Sequence, residues 1–219
     1  MSIFDLLLQS VPVLLAGALL TIKFAVLSML FGLAAAMVVT LMGISVYSAL
    51  QHVARAYVSI MRGTPLLVQI FVVYYGLPSL GLSLGPTTAG VLALSANVAA
   101  YLSESMRGAI LGIDRGQWLA AYSLGLSRLD TLRYVVAPQA LRLAIPSLGN
   151  SLISLVKDTS LVSVITVTEL LRSAQEVIAA TFQPLPLYRG VAAVYRVLCT
   201  ALELLQRWLE RRLALPGQH

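Results

Sequence analysis

Between Leu6 and Ala54 the chain carries one formally charged residue, Lys23, and between Thr64 and Ser103 it carries none. Runs of this kind constrain the fold more than any motif does. Typical globular domains are about one-quarter charged. Here the share is 11%, with 58% hydrophobic residues and a mean hydropathy of +0.87. A 23.5 kDa globule has too little interior to bury that much apolar surface. A bilayer removes the difficulty, because lipid tails need no polar face opposite them. The chain is therefore read as an all-α membrane protein with a single domain over 1–219.

A spanning helix needs about 20 mainly apolar residues. Further uncharged runs cover Leu143–Val156 and Thr159–Thr168, and a last apolar stretch runs from Pro186 to Arg207, interrupted by Arg189, Arg196 and Glu203. The turn formers from Gly76-Leu77-Pro78-Ser79 to Gly85-Pro86 split the second run. No Gly/Pro/Asn cluster near Lys23 divides the first. The reading is a short interfacial segment at 3–10 and five transmembrane helices, near 11–41, 56–77, 87–110, 143–168 and 187–208, with a polar loop at about 111–140.

The arginines set the orientation. Stretches 43–63, 104–142 and 203–219 carry ten of them, against two in 1–10, 77–90 and 169–189. The positive-inside rule puts the first set in the cytoplasm, so the N-terminus is expected outside and the C-terminus inside. The same bias accounts for the net charge of +6 without nucleic acid. A single cysteine, Cys199, excludes an internal disulfide and a cysteine-based metal site. No basic segment precedes the first apolar run, so a cleavable signal peptide is not expected.

The polar loop reads Gly116-Gln117-Trp118-Leu119-Ala120-Ala121-Tyr122-Ser123-Leu124-Gly125-Leu126-Ser127 and closes on Val135-Val136-Ala137-Pro138-Gln139. It resembles the EAA loop of permeases from ATP-binding-cassette importers, whose pattern is Glu-Ala-Ala, three residues, Gly, nine residues, Ile-x-Leu-Pro. Ala120, Ala121, Gly125 and Pro138 fall in register, while Leu119 stands at the Glu position, Val135 at the Ile and Ala137 at the Leu. Three more blocks follow the polar amino acid group of that family in order and spacing: Arg62-Gly63-Thr64-Pro65-Leu66-Leu67-Val68-Gln69, Asn97 to Gly108, and Ser154 to Leu161. Thr168-Glu169-Leu170 comes at the usual distance. Ile-Ser-Leu-Val-Lys-Asp-Thr-Ser-Leu and Tyr-Tyr-Gly-Leu-Pro are most similar to cystine-type permeases, though relatives handling glutamine, arginine and histidine share them.

The resemblance implies a type I importer permease of the bacterial cytoplasmic (inner) membrane, moving a polar amino acid by alternating access. It implies a dimer of ATPase subunits, a second permease copy or paralogue, and an external substrate-binding protein as partners. It also implies ATPase coupling through Trp118, Leu119, Ala120, Ala121, Gly125 and Leu126. Trp118, Ala121, Tyr122 and Gly125 share one face by three-and-four spacing. ATP and Mg belong to the partner: a phosphate loop needs Gly-Lys-Ser/Thr, and the two lysines, Lys23 and Lys157, follow Ile22 and Val156. No cofactor is expected in this chain.

Charges at mid-membrane depth usually face the bundle interior or a watered cavity. Lys157, Asp158 and Thr159 are therefore candidates for the substrate pathway, together with Glu104 and Asn97, which lie on one side of the third span. Adjacent residues diverge by about 100° on a helix, so Lys157 and Asp158 need not serve each other. The alternative is that they pair with Glu104 or Arg107 and only hold helices together. Arg62 reads as an interfacial anchor, and Arg189, Arg196, Glu203 and Glu210 share a face by their spacing of seven. An ion-coupled carrier would more often show repeated halves, and none is visible. A non-transporting scaffold would have no use for buried Lys157 and Asp158. An integral-membrane enzyme would need a nucleophile–base or metal constellation, and the sequence has none.

Overall fold

The computed structural model describes residues 3–213, with the side chains of 5–212, and they form eight helices and no strand. α1 is Ile3–Gly43, α2 Ser48–Gly63, α3 Leu66–Leu80, α4 Pro86–Leu111, α5 Arg115–Ser123, α6 Arg128–Ile165, α7 Leu170–Thr181 and α8 Pro184–Leu213. By length and composition α1 and α6 could each cross a bilayer, and the pair α2–α3 passes the same test taken together. α4 and α8 are long enough, at 26 and 30 residues, but carry more polar and charged side chains.

Two features depart from the expected segments. The stretch at 3–10 is not a separate interfacial piece; it is continuous with the rest of α1, even though Pro12 falls in the interior. The expected span at 56–77 is not one straight helix either. It breaks at Thr64-Pro65, and the helices on either side meet at 107°. Pro65 lacks an N–H, so the carbonyl of Met61 loses its ordinary partner four residues on. A proline also pushes the residue before it into extended backbone, and Thr64 sits at φ −121°, ψ 148°.

α1 and α4 form the centre of the bundle. Ala89, Gly90, Ala93, Ala99 and Ala100 give α4 a narrow profile, so the backbones of α1 and α4 approach closely, as small residues allow in membranes. Phe24, Ala36, Val98 and Leu102 fill the seam, joined by Ile70 of α3 and Leu155, Val162 and Ile165 of α6. A second apolar cluster ties Leu14 and Ala18 of α1 to Leu170 and Ala174 of α7 and Val191 of α8. α6 contains a π-helical stretch, Thr131–Val136, and ends in a 3-10 stretch, Thr159–Ile165.

Candidate functional site

The break after α2 creates the site. Gln69 on α3 turns back and donates Nε2 to the orphaned Met61 carbonyl (2.8 Å) and to Thr64 Oγ1 (2.8 Å). Asn97 on α4 donates Nδ2 to Gln69 Oε1 (3.0 Å) and to the same Met61 carbonyl (3.3 Å). Two side-chain amides thus satisfy a carbonyl that Pro65 cannot serve. That satisfaction allows an irregular backbone at this depth, since an unpaired polar group in hydrocarbon is costly.

The turned backbone opens a cavity of about 700 Å³ between α2–α3, α4 and α6. Asn97, Tyr101 and Glu104 line it from α4, Arg62 from α2, and Asn150, Ser154 and Asp158 from α6. This lies within the size range of small-molecule sites. Arg62 lies over the Tyr101 ring, 5.3 Å from its centroid, within reach of a cation–π attraction. Glu104 accepts from Arg107 Nε (2.9 Å) and Nη2 (2.7 Å), a bidentate pair one turn apart. Asp158 is half-buried and forms no hydrogen bond or salt bridge with the described residues. An unpaired carboxylate facing a polar cavity can hold an ammonium group.

Three of the five sequence candidates for the pathway therefore meet here: Asn97, Glu104 and Asp158. Lys157 and Thr159 do not. Lys157 is exposed in a separate groove of about 440 Å³ between α6 and α8, beside Tyr195, Arg196 and Glu203. Thr159 is fully buried, and its hydroxyl donates to the Val156 carbonyl (2.7 Å). Glu104 pairs with Arg107, and neither pairs with Lys157 or Asp158. Thr64 also lines the cavity, and Pro65 and Gln69 shape the break beside it, although the sequence shows all three only within a motif.

The polar loop holds the second element. Asp114 caps α5 by accepting from Gly116 N (2.7 Å). The helix ends on Gly125, whose φ of +82° is the left-handed conformation that closes helices. Trp118 packs inward with Ile113, Val136 and Ala140, and Ala121 is 3% exposed. Leu119 and Leu124 point away from the bundle at 66% and 82% exposure. The face predicted from spacing is thus divided: Trp118 and Ala121 anchor α5 to the bundle, and Tyr122 and Gly125 are exposed; off that face, Leu119, Ala120 and Leu124 are left outward. Gly125 is exposed and Leu126 half-buried.

Residues 28–215 match the family described as the binding-protein-dependent transport system inner membrane component. The chain belongs to this family. The permease is 44% identical to the L-cystine transport system permease protein TcyB of Bacillus subtilis over 96% of its own length and 91% of that protein. It is 39% identical to the glutamine transport system permease protein GlnP of Escherichia coli K12, covering 93% and 94% of the two chains. In structure it superposes on an amino acid ABC transporter crystallised with histidines at a TM-score of 0.91, with 34% identity over 97% and 99% of the chains. The inward-facing MetNI methionine transporter shares the fold, at a TM-score of 0.74 and 19% identity. The molecule is therefore the permease subunit of an ABC importer, a multi-pass protein of the inner membrane, and ATP hydrolysis resides on a separate subunit. The alternatives of an ion-coupled carrier and a scaffold are set aside by that membership.

A buried carboxylate serves the permease elsewhere. Glu169, in the connector after α6, is fully buried and caps α7 by accepting from the backbone N–H of Leu171 (2.9 Å) and Arg172 (2.8 Å). Tyr195 of α8 donates its hydroxyl to the same carboxylate (2.9 Å), and Thr21 of α1 accepts from Leu170 N (3.2 Å). Burial pushes the Glu169 carboxyl above the usual range, and the two backbone N–H groups pull it partly back. Sequence reading registered Glu169 only by its spacing. Glutamate is not among the residues that mark an N-cap in sequence, so only the packing reveals this cap.

Proposed function

We propose that this permease moves a polar amino acid across the inner membrane by alternating access, through the cavity lined by Asn97, Glu104 and Asp158. The observation that carries the reading is the partnerless Asp158 carboxylate facing the same cavity as Arg62. An amino acid offers an ammonium to the first and a carboxylate to the second. The amide of Asn97 and the hydroxyl of Tyr101 suit the polar remainder of such a substrate. L-Cystine is the leading substrate, on the strength of the 44% identity to a cystine permease; glutamine, arginine and histidine are the competitors.

In this reading five spans cross the bilayer: α1, the bent pair α2–α3, α4, α6 and α8. The N-terminus is outside, and the arginine-rich end carrying α5 is cytosolic. ATPase subunits, binding ATP and Mg, dock on Leu119, Ala120 and Leu124, with Trp118, Ala121, Gly125 and Leu126 fixing the shape of that contact. A second permease copy or paralogue completes the pathway, and an external binding protein delivers the substrate.

The test is reconstitution of permease, ATPase and binding protein in liposomes. Uptake of labelled cystine, with ATP hydrolysis stimulated only when all components and substrate are present, is the expected result. Uptake of glutamine or arginine but not cystine would reassign the substrate. Uptake without ATPase would overturn the mechanism.

A further inference from the structure

A second cavity lies on the far side of Glu104. It measures about 450 Å³ and is walled by Gly43 of α1, Arg55 and Ser59 of α2, and Ser103, Glu104 and Arg107 of α4. Gly43, Ser59 and Ser103 are small, which keeps the space open. Both guanidinium groups on its wall have donors to spare. Arg107 uses Nε and Nη2 on Glu104, and its Nη1 has no partner among the described residues. Arg55 spends only Nε, on the Gln51 carbonyl (3.3 Å), and forms no salt bridge. A third guanidinium is anchored one residue beyond the wall: Arg128 Nη2 donates to the carbonyl of Ile44, the residue after Gly43 (3.2 Å). With two arginines against one carboxylate, Glu104, among the described lining residues, the wall carries a positive balance.

Spare N–H donors from two arginines on one cavity wall match the oxygens of a phosphate, which guanidinium groups bind in forked pairs. We propose that this cavity binds a phosphate-bearing anion. It lies at the end of the bundle where α1 and α4 finish and the α5 loop begins. If that end is cytosolic, as proposed above, the cavity lies at the depth of the inner-leaflet phosphates. The source is then the headgroup of an anionic phospholipid, and basic pockets between helices on this side of a membrane are known to take such groups. The orientation decides the source of the phosphate and not the existence of the site.

The permease–ATPase complex, purified and stripped of lipid in detergent, is titrated with phosphatidylglycerol, phosphatidylcholine and inorganic phosphate. Native mass spectrometry reads lipid retention and calorimetry reads phosphate. Arg55→Gln should weaken phosphatidylglycerol about fivefold, the contribution expected of one arginine near a membrane surface. Ser59→Leu should weaken it similarly by filling the cavity, and phosphatidylcholine should be unaffected in both. Phosphate displacing phosphatidylglycerol in an Arg55-dependent way would make the occupant a soluble anion and would still support the site. Equal binding of both probes to wild type and both variants, or no binding of either to wild type, would overturn it. Substrate-stimulated ATPase, assayed on the same preparations after the binding protein is added, separates the two readings: lipid binding without stimulation faults the proposed function, and stimulation without lipid binding faults this site.

Discussion

Lys157 and Asp158 are neighbours in the chain, yet they open into different spaces. Asp158 faces the polar cavity with Asn97 and Glu104, and Lys157 faces the groove against α8. The turn of about 100° per residue separates them, and the packing of α8 on one side of α6 fixes which is which. Two adjacent charges of opposite sign thus border separate spaces.

Asp158→Asn is expected to raise the KM for substrate about 10- to 100-fold, the effect of losing a hydrogen bond to a charged group. Basal ATPase should change little. Lys157→Met should leave KM within about twofold. Uptake kinetics in proteoliposomes check both, and equal effects of the two substitutions would count against the cavity assignment.

The loop around α5 makes an opposite pair of predictions. Leu119→Asp and Leu124→Asp should weaken association with the ATPase subunit about tenfold or more without lowering the melting temperature, since both side chains are exposed. Trp118→Ala should do the reverse and cost about 2 kcal/mol of stability through lost packing, because its ring rests on the bundle. Gly125→Val should cost about 1–2 kcal/mol, as a β-branched residue is strained at φ +82°. Pull-down with the ATPase and thermal melts in detergent separate these effects.

The repair of the break at Pro65 is testable by a double-mutant cycle. Gln69→Leu and Asn97→Leu each withdraw an amide from the Met61 carbonyl and should each cost about 1–2 kcal/mol. Because they share one acceptor and bond to each other, the double variant should cost less than the sum. Strict additivity in thermal unfolding would mean that the network is not one unit.

Glu169→Ala removes a helix cap and the partner of Tyr195 at once, and about 2–3 kcal/mol of stability should go with it. Glu169→Gln keeps the shape and should cost less. The folded-state pKa of Glu169 is raised, so the folded protein holds this proton more tightly than the unfolded chain does. Its contribution to stability is present in full below the ordinary glutamate range and is lost as pH rises through the raised value. The wild-type melting temperature should therefore fall across that window, and Glu169→Gln should flatten the fall.

Much of the helical order was legible because it rests on long uncharged runs, which only a lipid-facing helix bundle accommodates. Asn97 and Glu104 could be placed together because seven residues on one helix is two turns, whatever the tertiary structure. The break at Thr64-Pro65 was not foreseen. A proline after a threonine also fits the first turn of a helix, and the residues that satisfy the broken end, Gln69 and Asn97, are 5 and 33 residues away from Thr64. The inward face of α5 was misjudged for a similar reason. Spacing gives which residues share a face, and only the packing of Val136 and Ala140 against Trp118 shows where that face looks. Lys157 and Thr159 were grouped with Asp158 by proximity, and proximity along a helix scatters side chains.

α1 is unbroken over 41 residues, about 60 Å at 1.5 Å each. Near its middle, Thr21 meets the start of α7 beside Glu169, and just past its far end the Ile44 carbonyl holds Arg128 at the root of α6. A continuous helix held at both points ties the cap of α7 to the root of α6, so a displacement at one anchor is carried to the other along its backbone hydrogen bonds.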